Sequence, residues 1–454
     1  MSTLLPPIVP PAPKMHATDL PTWRLIRDLL RDLLSVIPDR AFDEMLLRRR
    51  ALGIDTILVN DPEGIRHILT TNPDNYGRPM VFRRVSRPVT GEGLILAEGA
   101  EWRRQRRLLA PIFTPATVSS LLPHFAEAAT GLIRCLEGTL QANLFVTFHL
   151  ASLDAVLKAL FSLPHAARSA QLAGIVRGYL KGPGRPNILD VFAKSETAFE
   201  FASGARRRFQ KEWNAVVDDV VTDRRRVSRA DPHRDLLDLL LAARDPETGE
   251  ALADTEIRDQ CATMIVVGYE PTARLLFWAS YLVALAQNEQ DKLRAEIARF
   301  PPHCVSKLDD LQNWPRLRRT LLEALRLYPP TPFMTREAVA DDVISGEPVR
   351  AGTLVLISPW VLHRHRKFWD NPTAFMPDRF ADRTPPWTSG PFMPFGGGPR
   401  ICIGASFGMV EAQIMLATLL SRFRITYNEP RPVMPVATPF MAPRHEPMFG
   451  LERV

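Results

Sequence analysis

The feature that most constrains this 454-residue chain is Cys402, set in the segment Phe395-Gly396-Gly397-Gly398-Pro399-Arg400-Ile401-Cys402-Ile403-Gly404. Three consecutive glycines let the backbone turn sharply and approach a flat ligand closely. The run that follows, ICIGASFGMVEAQIMLATLLSRF, has the apolar pattern of a long buried helix, so the thiol stands at a helix mouth. Backbone N–H groups and the positive end of the helix dipole favour an ionised sulfur there, and Arg400 adds positive charge. An isolated cysteine before a helix is otherwise an inert buried thiol. What sets this one apart is the spacing of its neighbours.

The remainder of the chain reads as mainly helical with a smaller β region. Its 46% hydrophobic and 24% charged content supports a large core and excludes a disordered or fibrous chain. No Gly/Ser-rich or acidic linker interrupts the interior, so residues 20–454 read as one domain behind a proline-rich arm, residues 1–19. That arm lacks the charged start and apolar run of a secretory signal. The most apolar stretch, Cys261 to Gln287, is interrupted by Glu270, Pro271 and Arg274 and reads as a core helix, with no membrane span.

Helical spacing runs from Leu20 to Leu34, and TILVN from Thr56 reads as a strand before a helix that Asp61 and Pro62 start. Amphipathic helices dominate from about residue 100 to about residue 300, with breaks at Pro111, Pro164, Gly182 to Pro186 and Asp231 to Pro232. Sheet returns near Gly346, in GEPVRAGTLVLIS. A Pro/Gly-rich loop from Pro385 to Pro399 then leads to Cys402.

Cys135, Cys261, Cys304 and Cys402 form no C-x-x-C pair, which argues against a disulfide framework or structural zinc and for a reducing cytoplasm. The net charge of +7 suits an acidic partner. The clusters Arg206 to Arg208 and Arg224 to Arg226 sit in no nucleic-acid-binding motif, so no nucleic acid is expected.

The cysteine segment matches F-x-x-G-x-R-x-C-x-G at every defined position, and in this the chain resembles the cytochrome P450 superfamily. The resemblance implies a triangular helical domain with a sheet-rich subdomain, and haem b with Cys402 as the axial ligand of its iron. Phe395, Gly398 and Gly404 would shape the haem loop. The implied reaction inserts one atom of O2 into a small hydrophobic substrate, with the thiolate favouring O–O cleavage.

Other segments extend the likeness. Glu323 and Arg326 lie three apart on a helix that should stop at Tyr328, before two prolines. They resemble the family's E-x-x-R pair, and Arg379 resembles the third member of its structural triad. Trp102 and Arg106, four apart on one helical face, resemble the clamp for a haem propionate, joined by Arg336 and Arg400.

The central helix carries Val267-Gly268-Tyr269-Glu270-Pro271-Thr272, similar to the family's A-G-x-[DE]-T-[TS]. Val267 departs mildly from that pattern and Pro271 seriously. Proline cannot donate to the carbonyl of Val267, so a kink or opened turn is expected there. Glu270 would relay protons, and Thr272 would take over the missing hydroxyl. Apolar substrate contacts would come from Leu94, Val267, Phe333, Met334 and Phe440.

About fifty residues follow Cys402, too few for a reductase domain. Electrons would come from a ferredoxin or flavodoxin with its reductase, drawn to a basic face of Arg103, Arg107, Arg364, Arg366 and Lys367. The departure at Pro271 leaves open a peroxide-driven or isomerising enzyme. A haem-based sensor or ligand-binding protein without turnover would use Cys402 in the same way.

Overall fold

The computed structural model describes residues 7–162, 166–199, 202–226, 235–245, 247–381 and 390–454. The expected breaks at Pro164 and Asp231 to Pro232, and residues 385–389 of the glycine-rich loop, lie outside these. Helices that position the site are α1 (Met80–Thr90), α2 (Gly99–Leu109), α3 (Leu122–Leu136), α4 (Leu144–Phe161), α5 (Ser203–Arg226), α6 (Asp254–Leu285), α7 (Pro315–Leu327) and α8 (Ala405–Arg422).

The sequence pattern explains why α6 is central. It starts where the Glu256 carboxylate accepts from the Ala253 N–H at 2.7 Å, and beyond its first turns it is apolar on nearly every side, as a helix enclosed by others must be. It packs on α4, α7 and α8. Phe277 meets Phe145 of α4 edge-on at 5.3 Å, and Trp278 stacks on Tyr328, just past α7, at 4.0 Å.

The helix runs through Pro271 as one continuous element, so no opened turn interrupts it. A proline inside a helix costs about 3 kcal/mol. Burying several large side chains on either side contributes about 1.5–3 kcal/mol each, which is enough to hold the helix together.

A five-stranded sheet forms the smaller region: β1 (Leu46–Ala51), β2 (Ile54–Val59), β3 (Tyr76–Gly77), β4 (Met334–Ala338) and β5 (Leu354–Ile357), in the order β1-β2-β5-β4-β3. Only β2 and β5 pair in parallel. The strand expected from Thr56 is β2, and Asp61 starts the next helix by accepting from the Gly64 N–H at 3.0 Å. A short hairpin near the carboxy terminus pairs β6 (Pro435–Ala437) with β7 (Met441–Pro443).

The helical pattern from Leu20 to Leu34 yields a shorter helix, Thr22–Leu29. Asp32 ends that segment, because its buried carboxylate accepts from the N–H groups of Leu34 and Ala437. The described part of the arm lies on the body: Tyr328 donates to the Pro11 carbonyl and the Phe375 N–H to that of Ile8, both at 2.8 Å. Among the described residues one helix, α4, is long and apolar enough to cross a membrane, and most of it is buried in the fold.

Candidate functional site

The cysteine loop is closed by the Cys402 N–H, which donates to the Phe395 carbonyl at 2.9 Å. Gly396 and Gly398 take φ of +76° and +65°, the left-handed region that favours glycine. At Gly398 a side chain is doubly excluded, since a Cβ would collide with the carbonyl oxygen of Leu69. Gly398→Ala should therefore destabilise the protein by about 3 kcal/mol, combining backbone strain and overpacking. Chemical denaturation would measure this, and an unchanged midpoint would refute it.

Cys402 retains accessible surface although protein atoms crowd around it. Burial raises its pKa, against the lowering effects of the Gly404 N–H and Arg106. Helix-mouth donors alone do not make this thiol a thiolate. A bound metal cation would supply the missing positive charge.

Several arginines converge beside it. The Arg400 guanidinium lies 4.5 Å from the centre of the Trp102 ring and donates to the Ala97 carbonyl at 3.0 Å. The Arg106 guanidinium has no hydrogen-bond partner among the described residues; burial lowers its pKa and the neighbouring Cys402 acts against this. Arg336, on β4, is buried, and among the described residues its guanidinium bonds only the Thr335 carbonyl. Burial, then Arg400, lowers its pKa to about 10.

Arg78 joins them, depressed well below the guanidinium range first by burial and then by Arg336 and Arg400; its buried Nε has no partner among the described residues. The nearest carboxylate, Glu98, is already engaged by the Arg78 N–H and by Arg83. A buried cationic cluster with so little compensation is costly unless an anion completes it.

Glu323, Arg326 and Arg379 do come together. Glu323 and Arg326 are fully buried and paired at 2.7 and 2.8 Å, and the Arg379 Nε reaches Glu323 at 3.1 Å. Arg326 also donates to the carbonyls of His363, Pro372 and Ala374. This knot ties α7 to the segment that leads to the cysteine loop.

On α6, every residue from Cys261 to Ala284 is buried except Val267, Gly268 and Pro271. Val267 and Pro271, four apart, share a face. Glu270 and Thr272 are directed elsewhere. Glu270 pairs with Arg274 at 2.6 Å and with the His149 ring at 3.4 Å. Burial raises its pKa, but Arg274 and then His149 outweigh this and hold it below the usual carboxylate range. Thr272 donates to the Gly268 carbonyl at 3.3 Å and packs toward Gly408 of α8.

Leu94 is held to α6 by its N–H, which donates to Gln260 at 3.2 Å. Met334 packs beside Gly396 of the cysteine loop. Phe440 lies 5.4 Å from the Arg274 guanidinium, whose Nη1 donates to the Met441 carbonyl. Phe333 and Phe395 are partly buried against the main core.

The Cytochrome P450 family model matches residues 44–451. This chain belongs to the cytochrome P450 family. It is 32% identical to pentalenene oxygenase of Streptomyces avermitilis, over 83% of each chain. Its identity to cyclooctat-9-en-7-ol 5-monooxygenase of Streptomyces melanosporofaciens is 30%, over 80% of this chain and 79% of the relative. In fold it is similar to the crystal structure of the cytochrome P450DA heme domain, with a TM-score of 0.78, 24% identity and coverage of 99% and 98%.

The protein is a cytochrome P450 monooxygenase, and membership implies haem and use of O2. The residues present fit that cofactor, with an accessible cysteine in the loop and a cationic set with Trp102 beside it suited to two carboxylates. Sequence reasoning missed Arg78, one arginine among 57 Lys and Arg residues with no motif around it. It also missed His149 and Arg274 as the partners of Glu270.

The basic face expected of this P450 needs correction. Arg364 is buried, 3.5 Å from the Trp360 ring centre, and donates to the Leu327 carbonyl, so it presents no surface charge. Arg107 pairs with Asp245 and Glu247, and Arg366 with Asp39 and Asp43, which neutralises much of their field. Arg103, facing Asp74 at 3.7 Å, and Lys367 remain exposed.

Proposed function

We infer that the cofactor is haem b, held by Cys402 at the iron and by Trp102, Arg78, Arg106, Arg336 and Arg400 at its propionates. Phe395, Gly398 and Gly404 give the loop its shape, and Glu323, Arg326 and Arg379 brace it. When bound, a thiolate-ligated haem supplies O2 activation and O–O cleavage. The substrate is a small hydrophobic molecule seated among Leu94, Val267, Phe333, Met334 and Phe440, and one oxygen atom is inserted into it.

The observation that carries the substrate reading is the stretch of α6 from Cys261 to Ala284, where only Val267, Gly268 and Pro271 are accessible. A recess walled by such residues excludes water and favours apolar ligands. Glu270 serves as a positioning residue: its carboxylate holds Arg274, and Arg274 holds the hairpin that carries Phe440. Thr272 acts as a packing residue between α6 and α8.

Electrons come from a separate ferredoxin or flavodoxin with its reductase, docking on the exposed positive charge of Arg103 and Lys367. Free cysteines fit a reducing compartment and a cytoplasmic location. Replacing the arginines beside Cys402 should weaken cofactor retention: Arg78→Leu is expected to lower haem affinity about tenfold, for loss of one charge-assisted contact. Haem transfer to apomyoglobin measures this, and an unchanged transfer rate excludes the role.

Turnover decides the electron source. Product formation from apolar substrates with NADPH, ferredoxin and reductase, exceeding that with hydrogen peroxide alone, is the expected result. A rate supported by peroxide and not by the redox system would instead favour the peroxide-driven reading.

A further inference from the structure

The turn His67–Thr71 is π-helical, a wide geometry that is rare and tends to mark functional positions. It is also the element that meets the cysteine loop. The Leu69 carbonyl lies so close to Gly398 that no Cβ fits there, and the Leu69 side chain comes within 3.4 Å of where a Cβ of Gly397 would stand. Leu69 and Met393 share one buried cluster, and the Met393 carbonyl accepts from the Gly396 N–H at 3.1 Å. Where this turn sits therefore decides where the loop sits.

One carboxylate pins both ends of the turn. Asp342 Oδ2 lies 2.8 Å from Nε2 of His67, at the start of the turn, and accepts from Nδ2 of Asn72, just past its end, at 3.1 Å. The Tyr76 hydroxyl donates to the same oxygen at 2.7 Å, and the Val343 N–H donates to the other at 2.8 Å. An ionised carboxylate only accepts, so His67 carries a hydrogen on Nε2. Burial alone would raise the Asp342 pKa, but the bonds from His67 and Tyr76 outweigh it and hold the carboxyl below the usual range.

The support beneath Asp342 is rigid. It belongs to a tight hairpin in which Asp342–Ile344 pairs with Glu347–Val349, turned at Ser345 and Gly346, both with positive φ. Ile344 and Val349 lie in the same buried cluster as Leu69 and Met393.

We propose that Asp342 is a positioning residue for Cys402: it fixes the turn His67–Thr71, the turn fixes the cysteine loop through Leu69 and Gly398, and the loop keeps the sulfur on the iron. This rests on the reading that Cys402 carries haem. Groups that orient a metal ligand govern how firmly it holds the metal. Asp342 lies in none of the motifs that mark the haem site in the sequence.

Urea titration of the reduced, carbon monoxide-bound protein tests this, with the Soret band and the far-ultraviolet circular dichroism read on the same samples. A red-shifted band that is lost while the helical signal stays native reports sulfur detached within a folded chain. In Asp342→Ala that detached fraction should rise about tenfold over the wild type, the worth of one hydrogen bond to a charged group. Asp342→Asn, which keeps an acceptor oxygen, should fall between. Asp32→Ala removes a buried carboxylate whose partners, Leu34 and Ala437, lie outside this chain of contacts. It should bring helix loss to lower urea without raising the detached fraction.

No rise in Asp342→Ala overturns the proposal, and so does an equal rise in Asp32→Ala, because any loss of stability would then suffice. If Asp342→Ala does not accumulate with haem, Asp342→Asn decides alone: a rise supports the role and none overturns it. Absence of a red-shifted band in the wild type refutes the haem-thiolate reading itself, and the proposal falls with it.

Discussion

Cys402→Ala is expected to abolish the strongly red-shifted Soret band of the dithionite-reduced, carbon monoxide-bound protein and to lower turnover by on the order of 10³ or more. The argument rests on geometry. Cys402 retains accessible surface, its loop is fixed by the Phe395 carbonyl, and burial holds its thiol pKa up. Cys261 is fully buried, and burial pushes its thiol far up, so it cannot substitute. Cys135→Ser, Cys261→Ala and Cys304→Ser should keep the band. Its survival in Cys402→Ala would refute the ligand assignment.

Glu323→Ala should be the most damaging substitution outside the haem loop. It leaves Arg326 buried and robbed of its two carboxylate bonds, and it removes the acceptor of the Arg379 Nε and the Met376 N–H. Breaking a buried pair from one side costs about 3–5 kcal/mol, against a typical total stability of about 5–15 kcal/mol. Most of the protein should then lose haem or fail to accumulate. Arg326→Lys should fail nearly as badly, because one ammonium cannot reach the Glu323 carboxylate and three carbonyls together. Urea denaturation would measure both, and a cost under about 1 kcal/mol would place the knot among the weak surface pairs.

Local chemistry made much of this visible in the sequence. The glycine loop, the E-x-x-R spacing and the Trp102/Arg106 face are short-range patterns, and each survives in three dimensions because a turn or a helix fixes it. Long-range outcomes were less legible. Whether an exposed-looking Arg364 is buried depends on Trp360 and Tyr328 folding around it. The partners of Glu270 are Arg274, one turn away, and His149 on another helix, and nothing in the local sequence announces the second.

The shortened first helix and the unbroken helix at Pro271 have one cause. Tertiary packing overrides local preference where the burial at stake is larger than the local penalty. Arg78 shows the opposite limit: its importance lies wholly in which other arginines the fold brings near it.

The contact of Gly398 with the Leu69 carbonyl has a kinetic consequence. The two residues are separated by most of the chain, so the cysteine loop reaches its final shape only when the first and last parts of the protein have met. Contacts of such high sequence separation form late, since closing a long loop costs entropy before any interaction repays it. Cofactor capture therefore belongs to the end of folding, and a refolding assay that follows the haem absorbance reads the final step of assembly.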